Sequence, residues 1–411
     1  MTTKTFGRRG TAPRMASPAF QPARVAVAPA PAPVVEAAAE PSVFEWAIRD
    51  NKLVADLPIL TFGMILFLVL VFLLEKRWAF DIGAGSELSL RSLIALGATS
   101  RDLVIDSGQW WRIALAPILH ASTSHVVGNS IALAFIGMRL EPMIGRGWFL
   151  LIFVVSAIGG VAGSLYGNAS FISSVGASGA ITGLLGALFV MSFNPYADID
   201  QQRKMRRTAL RFGVPALLPL AWGASGGVDY FGHAGGALAG GAMGMAICVL
   251  WTHDSVRPNF ARVAGMVALG GFALSLLASM FAATHYSAYA AEAGQYIRMA
   301  EMPKDMKISA NRSAALLTRY PKDPMAHVLR AVYLVEERLL SEAEAELRKA
   351  IALAAADVAG AGIRIHAQAI LAALLMDQGR RAEAKTLAAD ACRLGDSNPM
   401  KRLLTKAKLC S

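Results

Sequence analysis

Apolar residues gather into seven runs along the chain: Leu57–Leu74, Ile118–Met138, Trp148–Leu165, Gly176–Phe193, Thr208–Gly223, Val228–Trp251 and Val263–Ala283. Most approach the ~20 residues that a helix needs to cross the hydrocarbon core, so each is read as a membrane span. The fifth carries Pro215 and Pro219, tolerable where neighbouring helices satisfy the freed carbonyls. Before the first run, residues 1–43 are an Ala/Pro/Arg stretch without aliphatic periodicity, which predicts disorder. Residues 44–52 predict a short juxtamembrane helix. The long connection 76–112 contains Trp110-Trp111-Arg112, read as an interfacial anchor.

From about residue 285 to 411 the pattern changes to amphipathic helices of a soluble kind. Two stretches there resemble each other, Ser341–Leu353 and Ala382–Leu394. Aligning Ala343 with Ala384 also aligns Ala350 with Ala391 and Leu353 with Leu394. Each follows another amphipathic helix, as in degenerate tetratricopeptide repeats, whose usual period is about 34 residues. The offset here is longer, and Asp357–Ile363 is the expected insertion. A plain helical bundle is the simpler alternative. Stacked helix pairs present a concave surface, so a protein partner is expected for this region. The expected architecture is all-α. It comprises a disordered region (1–43), a six-helix membrane core (44–252), a loop and seventh span (253–284) and a soluble helical-repeat domain (285–411).

Composition agrees with membrane spans. Hydrophobic residues are 55% of the chain and charged residues 17%. The net charge of +11 invites a nucleic-acid reading, which is set aside because many cations sit in loops flanking the spans. Arg203, Lys204, Arg206, Arg207 and Arg211 lie between spans four and five or at the start of the fifth. Arg139 and Arg146 lie between two and three, and Arg257 and Arg262 between six and seven. The 3–4 and 5–6 loops hold no Lys or Arg. That asymmetry predicts a cytoplasmic N-terminus and a C-terminal tail on the outer face. Arg8-Arg9 makes no twin-arginine signal, since no apolar region and cleavage site follow; a mitochondrial transit peptide is the rival reading of this Arg-bearing stretch. Cys248, Cys392 and Cys410 form no metal or redox motif. Cys248 reads as core filler, and a bond between the two tail cysteines is left open.

The chemistry begins at Gly176-Ala177-Ser178-Gly179, where a hydroxyl flanked by glycines opens an apolar helix. Such a serine is a candidate nucleophile, although small-residue packing with the hydroxyl bonded to a carbonyl would explain the same tetrapeptide. Spans two, four and six run in the same direction. His125, Ser178 and His233 each fall within about two turns of the start of one of them, hence at similar depth. Gly232, Gly236, Gly240 and Gly244 form a four-residue ladder on span six. Set against Gly179, Gly183 and Gly186 of span four, it permits close backbone approach. His125 and Asn129 are i, i+4 and share a face that suits an oxyanion; interhelical hydrogen-bond glue is the alternative. Asp229 is expected to cap span six. No metal or cofactor site is expected.

These residues, in this order, resemble the rhomboid family of intramembrane serine proteases. His120-x4-His125-x3-Asn129, Gly176-x-Ser178-Gly179 and Gly232-His233-x2-Gly236-x3-Gly240 carry the resemblance, with Trp111-Arg112 and Gly137-x3-Glu141-x3-Gly145. It covers about residues 55–252, and the six-plus-one span order is similar to that of bacterial members, against the transit peptide. The resemblance implies Ser178 as nucleophile and His233 as general base, with His125, Asn129 and the Ser178 N–H as oxyanion hole. It implies cleavage in or beside transmembrane helices of protein substrates, from the outer side of a bacterial inner membrane. Many members carry an aromatic four residues after the serine, packed on the histidine; here that position is Thr182. The competing expectation is a catalytically silent rhomboid-like binder or escort factor. A transporter is disfavoured, because no paired charges sit in the middle of the spans.

Overall fold

The computed structural model describes residues 57–410 apart from 171, 218–227, 253–254, 256, 358 and 395–397. The expectations for 1–43 and 44–52, and for the end of the fifth span with Pro219, lie outside the described residues. Regular structure among the described residues is helical; the only pairings of extended backbone are the isolated bridges Ile82↔Leu88 and Thr99↔Ser174.

The membrane bundle consists of α1 (Ile59–Trp78), α2 (Thr123–Ile144), α3 (Arg146–Gly167), α4 (Ser178–Met191), α5 (Ile199–Leu217), α6 (Tyr230–Leu250) and α7 (Ala261–Glu292). Helices α1, α3, α6 and α7 are long and apolar enough to cross a membrane. Helix α4 is apolar but only 14 residues long. The expected second span shifts: it starts after Ser122, whose hydroxyl accepts from the His125 N–H at 3.2 Å, and continues through Pro142 to Ile144. The fifth differs most. Its helix already begins at Ile199, so Arg203, Lys204, Arg206 and Arg207 lie on a helix and not in a loop.

Leu133, Ile136 and Leu140 of α2, Phe149 and Ile152 of α3, and Leu184 and Leu188 of α4 form the fully buried centre. The outer face of α7 exposes Met266, Leu269, Leu276 and Met280, an apolar stripe that suits lipid. Between membrane helices there is no differential hydrophobic drive, so close packing of small residues has to hold them. Helix α6 lies against α4 in this way. A Cβ on Gly236 would collide with the Gly179 carbonyl oxygen, and one on Gly240 with that of Gly183. Gly163 and Gly235 repeat the arrangement between α3 and α6, a second seam unread in the sequence.

Polar residues close the ends. The Glu141 carboxylate at the far end of α2 accepts from the Leu60 N–H (3.0 Å), the Thr61 N–H (2.7 Å) and the Thr61 hydroxyl (2.7 Å). It thereby caps α1, whose own N-cap residue Pro58 has no side-chain bond. Arg112 is fully buried and not an interfacial anchor. Its Nη1 donates to the carbonyls of Ile94 (2.5 Å) and Ala98 (2.9 Å), and its Nε to Gln109 (2.8 Å). The guanidinium therefore gathers the 1–2 connection onto itself, stacked 4.4 Å over the Trp111 ring.

The tail holds α8 (Ala310–Arg319), α9 (Pro324–Glu336), α10 (Leu340–Ala356), α11 (Ala361–Asp377), α12 (Arg381–Cys392) and α13 (Pro399–Lys406), each packed on the next from α8 to α13. The aligned Ala343, Ala350, Ala384 and Ala391 are all fully buried, in α10 and α12. Helix α11 already begins at Ala361, which shortens the expected insertion. Cys392 and Cys410 form a disulfide, Cα–Cα 5.4 Å, that ties the end of α12 to the chain beyond α13. The tail rests on the 1–2 connection. Arg91 forms a two-pronged ion pair with Asp357 and lies 3.1 Å over the Tyr296 ring, and the Met299 N–H donates to Asp81 at 2.6 Å.

Gly240→Ala should lower the thermal unfolding midpoint of the purified protein in mild detergent, at a cost of about 1–3 kcal/mol. Gly63→Ala, whose Cβ would meet nothing within 4 Å, should leave it unchanged. Equal effects would remove the close-approach explanation.

Candidate active site

Ser178 is the first residue of α4. The chain reaches it through Gly176, whose φ of +118° suits glycine and whose N–H donates to the Ala116 carbonyl at 2.8 Å. The preceding Ser174 exchanges both backbone bonds with Thr99 (3.0 and 2.7 Å). Its hydroxyl donates to Asp229 Oδ2 at 2.5 Å. Asp229 caps α6 as expected, accepting from the Gly232 N–H at 2.8 Å, and also holds the Asn168 amide at 2.8 Å. One carboxylate thus joins the approach to Ser178 with the approach to His233. The N-cap residue of α4 is Ala177, which has no side-chain acceptor. The first N–H groups of α4 therefore face the site with the positive end of the helix dipole.

His233 lies in the first turn of α6 and is 8% exposed. Its Nδ1 is 2.9 Å from the Ala216 carbonyl oxygen. A carbonyl only accepts, so Nδ1 donates, and in the neutral ring the lone pair is then on Nε2. The backbones beside the two side chains touch: a Cβ on Gly179 would sit 3.3 Å from the Gly232 oxygen. No hydrogen bond joins Ser178 Oγ to His233 among the described residues. Such bonds often tighten only when substrate is bound. Ser178, Gly176, Gly179, Asp229 and Gly232 line a cavity of roughly 20 Å³, enough for one water molecule.

His125 and Asn129 come to the same place. A Cβ on Gly176 would lie 2.6 Å from the His125 ring and 3.5 Å from Asn129 Nδ2. Asn129 Nδ2 is also 3.0 Å from His120 Nε2. The amide nitrogen only donates, so His120 accepts and holds Asn129 in one orientation. His120 is held in turn: its backbone N–H donates to the Glu75 carboxylate at 2.9 and 3.2 Å. Glu75 is buried at the end of α1. The sequence reading overlooked it, although an acid ending an apolar run is a signal for such a role.

Thr182 gives no ring to the histidine, as expected from its identity. Its hydroxyl lies 3.0 Å from the His233 carbonyl oxygen and 2.9 Å from that of Gly179, so it links α4 to α6. The ring comes from elsewhere. Tyr230, one turn before His233 on α6, packs edge-to-face on it with centroids 5.9 Å apart and planes at 85°. Neither this ring nor the Ala216 carbonyl had been singled out from sequence.

Comparison with known proteins covers the same stretch of the chain. A Rhomboid domain model matches residues 107–250. The chain is 33% identical over 188 residues to "Rhomboid protease GluP" of Bacillus subtilis, covering 44% of this chain and 34% of that protein. It is 30% identical over 238 residues to "Rhomboid protease AarA" of Providencia stuartii, covering 52% of this chain and 81% of that protein. With "RHOMBOID-like protein 5" of Arabidopsis thaliana it shares 33% over 173 residues, 42% of this chain and 55% of that protein. The chain thus spans about a third of the first relative and about half of the third. With most of one relative's length matched and the domain match running from the 1–2 connection through α6, this multi-pass membrane chain belongs to the rhomboid family.

Proposed function

We propose that the protein is an intramembrane serine protease that hydrolyses peptide bonds in or next to transmembrane segments of other proteins. The observation that carries this reading is the Nδ1–carbonyl bond of His233, which leaves its Nε2 basic beside the helix terminus bearing Ser178. In the reaction Ser178 Oγ attacks the substrate carbonyl carbon and His233 Nε2 takes the hydroxyl proton. The developing oxyanion accepts from the Ser178 N–H, Asn129 Nδ2 and His125. Collapse breaks the C–N bond as His233 returns the proton to the leaving amine. Water, deprotonated by His233, then releases the acyl group and restores the serine. An intact helix hides its carbonyls in hydrogen bonds, so substrates with helix-weakening Gly or Pro near the cut are preferred.

Residues 44–252 form the catalytic core in this reading, with 253–284 the added span and 285–411 a tetratricopeptide-like module that recruits protein partners. The N-terminus is cytoplasmic and the tail faces the outside of a bacterial inner membrane. The cation distribution supports that orientation, and so does the tail disulfide, since such bonds persist in oxidising compartments. A silent binder built on the same core is the second reading; the retained Ser178 and His233 argue against it.

Purified protein should cleave a model single-span substrate, and Ser178→Ala should lower the rate roughly 10³-fold or more. A fluorophosphonate should label the wild type and spare that variant. Cleavage that survives the substitution would end the serine-protease reading. Tyr230→Ala should lower kcat about 2- to 10-fold, the worth of one aromatic pair, and Tyr230→Phe should restore it. In whole cells trapped with a small maleimide, Cys392 and Cys410 should accept a maleimide-polymer tag only after reduction. Blocking of both by the trap without reduction would place the tail in a reducing compartment.

A further inference from the structure

At the end of the bundle away from Ser178, helices α2, α4 and α5 and the connection after α6 enclose a cavity of about 1000 Å³. Arg139, Lys204, Arg207 and Arg257 line it, and its described lining contains no carboxylate. We propose that this cavity binds the phosphodiester headgroup of an anionic glycerophospholipid, independently of any catalytic role for Ser178.

A cation excess at this end satisfies the orientation rule wherever the side chains point. Here the cations are sorted. Arg203 pairs with Asp200 at 3.8 Å. Arg206 turns to the Phe193 ring, 4.4 Å from its centroid, and to the Ser192 carbonyl at 3.4 Å. Lys204 and Arg207 point instead into the hollow, with Gln201 and Thr208 on the same face of α5. Arg139 enters from α2, its Nη1 steadied by the Phe135 carbonyl at 2.9 Å, and Arg257 is anchored through Nε to the Pro142 carbonyl at 2.9 Å. Glu141 serves Thr61 and Arg146, and Asp198 accepts from the N–H groups of Asp200 and Gln201.

Convergent cations with added amide and hydroxyl donors match the oxygens of a phosphate. The apolar part of the lining points to a lipid as the source. Leu188, Met143 and Met205 line the cavity together with the cations, and so does Trp251, an aromatic of the kind that sits at membrane interfaces. Beyond it, α5 exposes Leu210 and Val214, where acyl chains would run. Basic pockets between membrane helices commonly hold such headgroups.

The full-length protein in detergent should be titrated with dioleoylphosphatidylglycerol or dioleoylphosphatidylcholine and the bound lipids counted by native mass spectrometry. The wild type should favour the anionic lipid about 5- to 30-fold, the effect of one or two added cations. Lys204→Gln with Arg207→Gln should abolish the preference. Arg203→Gln with Arg206→Gln removes the same charge outside the cavity and should retain it. Equal loss in both double variants, or no preference in the wild type, overturns the proposal. Displacement of the lipid by millimolar glycerol phosphate would assign the cavity to a free phosphate and overturn the lipid source.

Discussion

The structure depends on how near two backbones can come in a medium that gives helices no hydrophobic reason to associate. The carbonyls of Gly179 and Gly183 occupy the places where Cβ atoms would stand on Gly236 and Gly240. Attraction between such helices comes from dispersion over short distances, which falls away within an ångström of separation. The same seam carries Ser178 at its upper end and His233 one residue from Gly232. Stability and chemical geometry are therefore set by one spacing. A side chain that pushed α6 from α4 would weaken the bundle and part the two functional groups together.

Around that seam, each polar group in a nonaqueous setting has been given a structural task. Glu141 stands in for the missing cap of α1, Arg112 holds two carbonyls of the 1–2 connection, and Asp229 ties the starts of α4 and α6. An unpaired carboxylate or guanidinium there would cost more than any of these contacts returns in isolation. Two side-chain atoms of the bundle depart from this among the described residues, His120 Nδ1 and Ser156 Oγ, each buried without a hydrogen-bond partner. The position of His120 next to Asn129 locates one of these costs at the proposed oxyanion site, where polar groups have to await a charge that exists only during reaction.

What the sequence made legible follows from the kind of signal each feature leaves. Ser178, His125 and His233 were grouped as candidates because equal depth on parallel spans is a counting argument, and Asn129 because it shares a helix face with His125; the structure brings the four to one end of the bundle. The glycine seam was legible because its period is the helix period. Tyr230 was missed since an i, i+3 aromatic beside a histidine looks like any apolar helix start. The Ala216 carbonyl leaves no trace in residue identity at all. The start of α5 was misplaced because hydropathy records where lipid begins, whereas helix formation follows backbone bonding and continues through Arg203–Arg207 into the polar zone. Cys392 and Cys410 were left open for a related reason: only the return of the chain after α13 decides their distance.

Helix α4 itself sets the depth of the chemistry. Its 14 residues extend about 21 Å, against a hydrocarbon core of about 30 Å. If Met191 reaches one boundary, Ser178 lies up to about 9 Å inside the other. A residue at that level meets peptide bonds that are still in lipid, yet it is close enough to the surface for water to arrive along a polar path. Ser174, Thr99 and Asp229 line the small cavity with Ser178, which gives one water molecule a polar place beside it. A longer α4 would raise the serine into the headgroups, where soluble loops would compete as substrates. On the proposed function, the shortness of this one helix would couple water supply to selectivity for membrane-embedded segments.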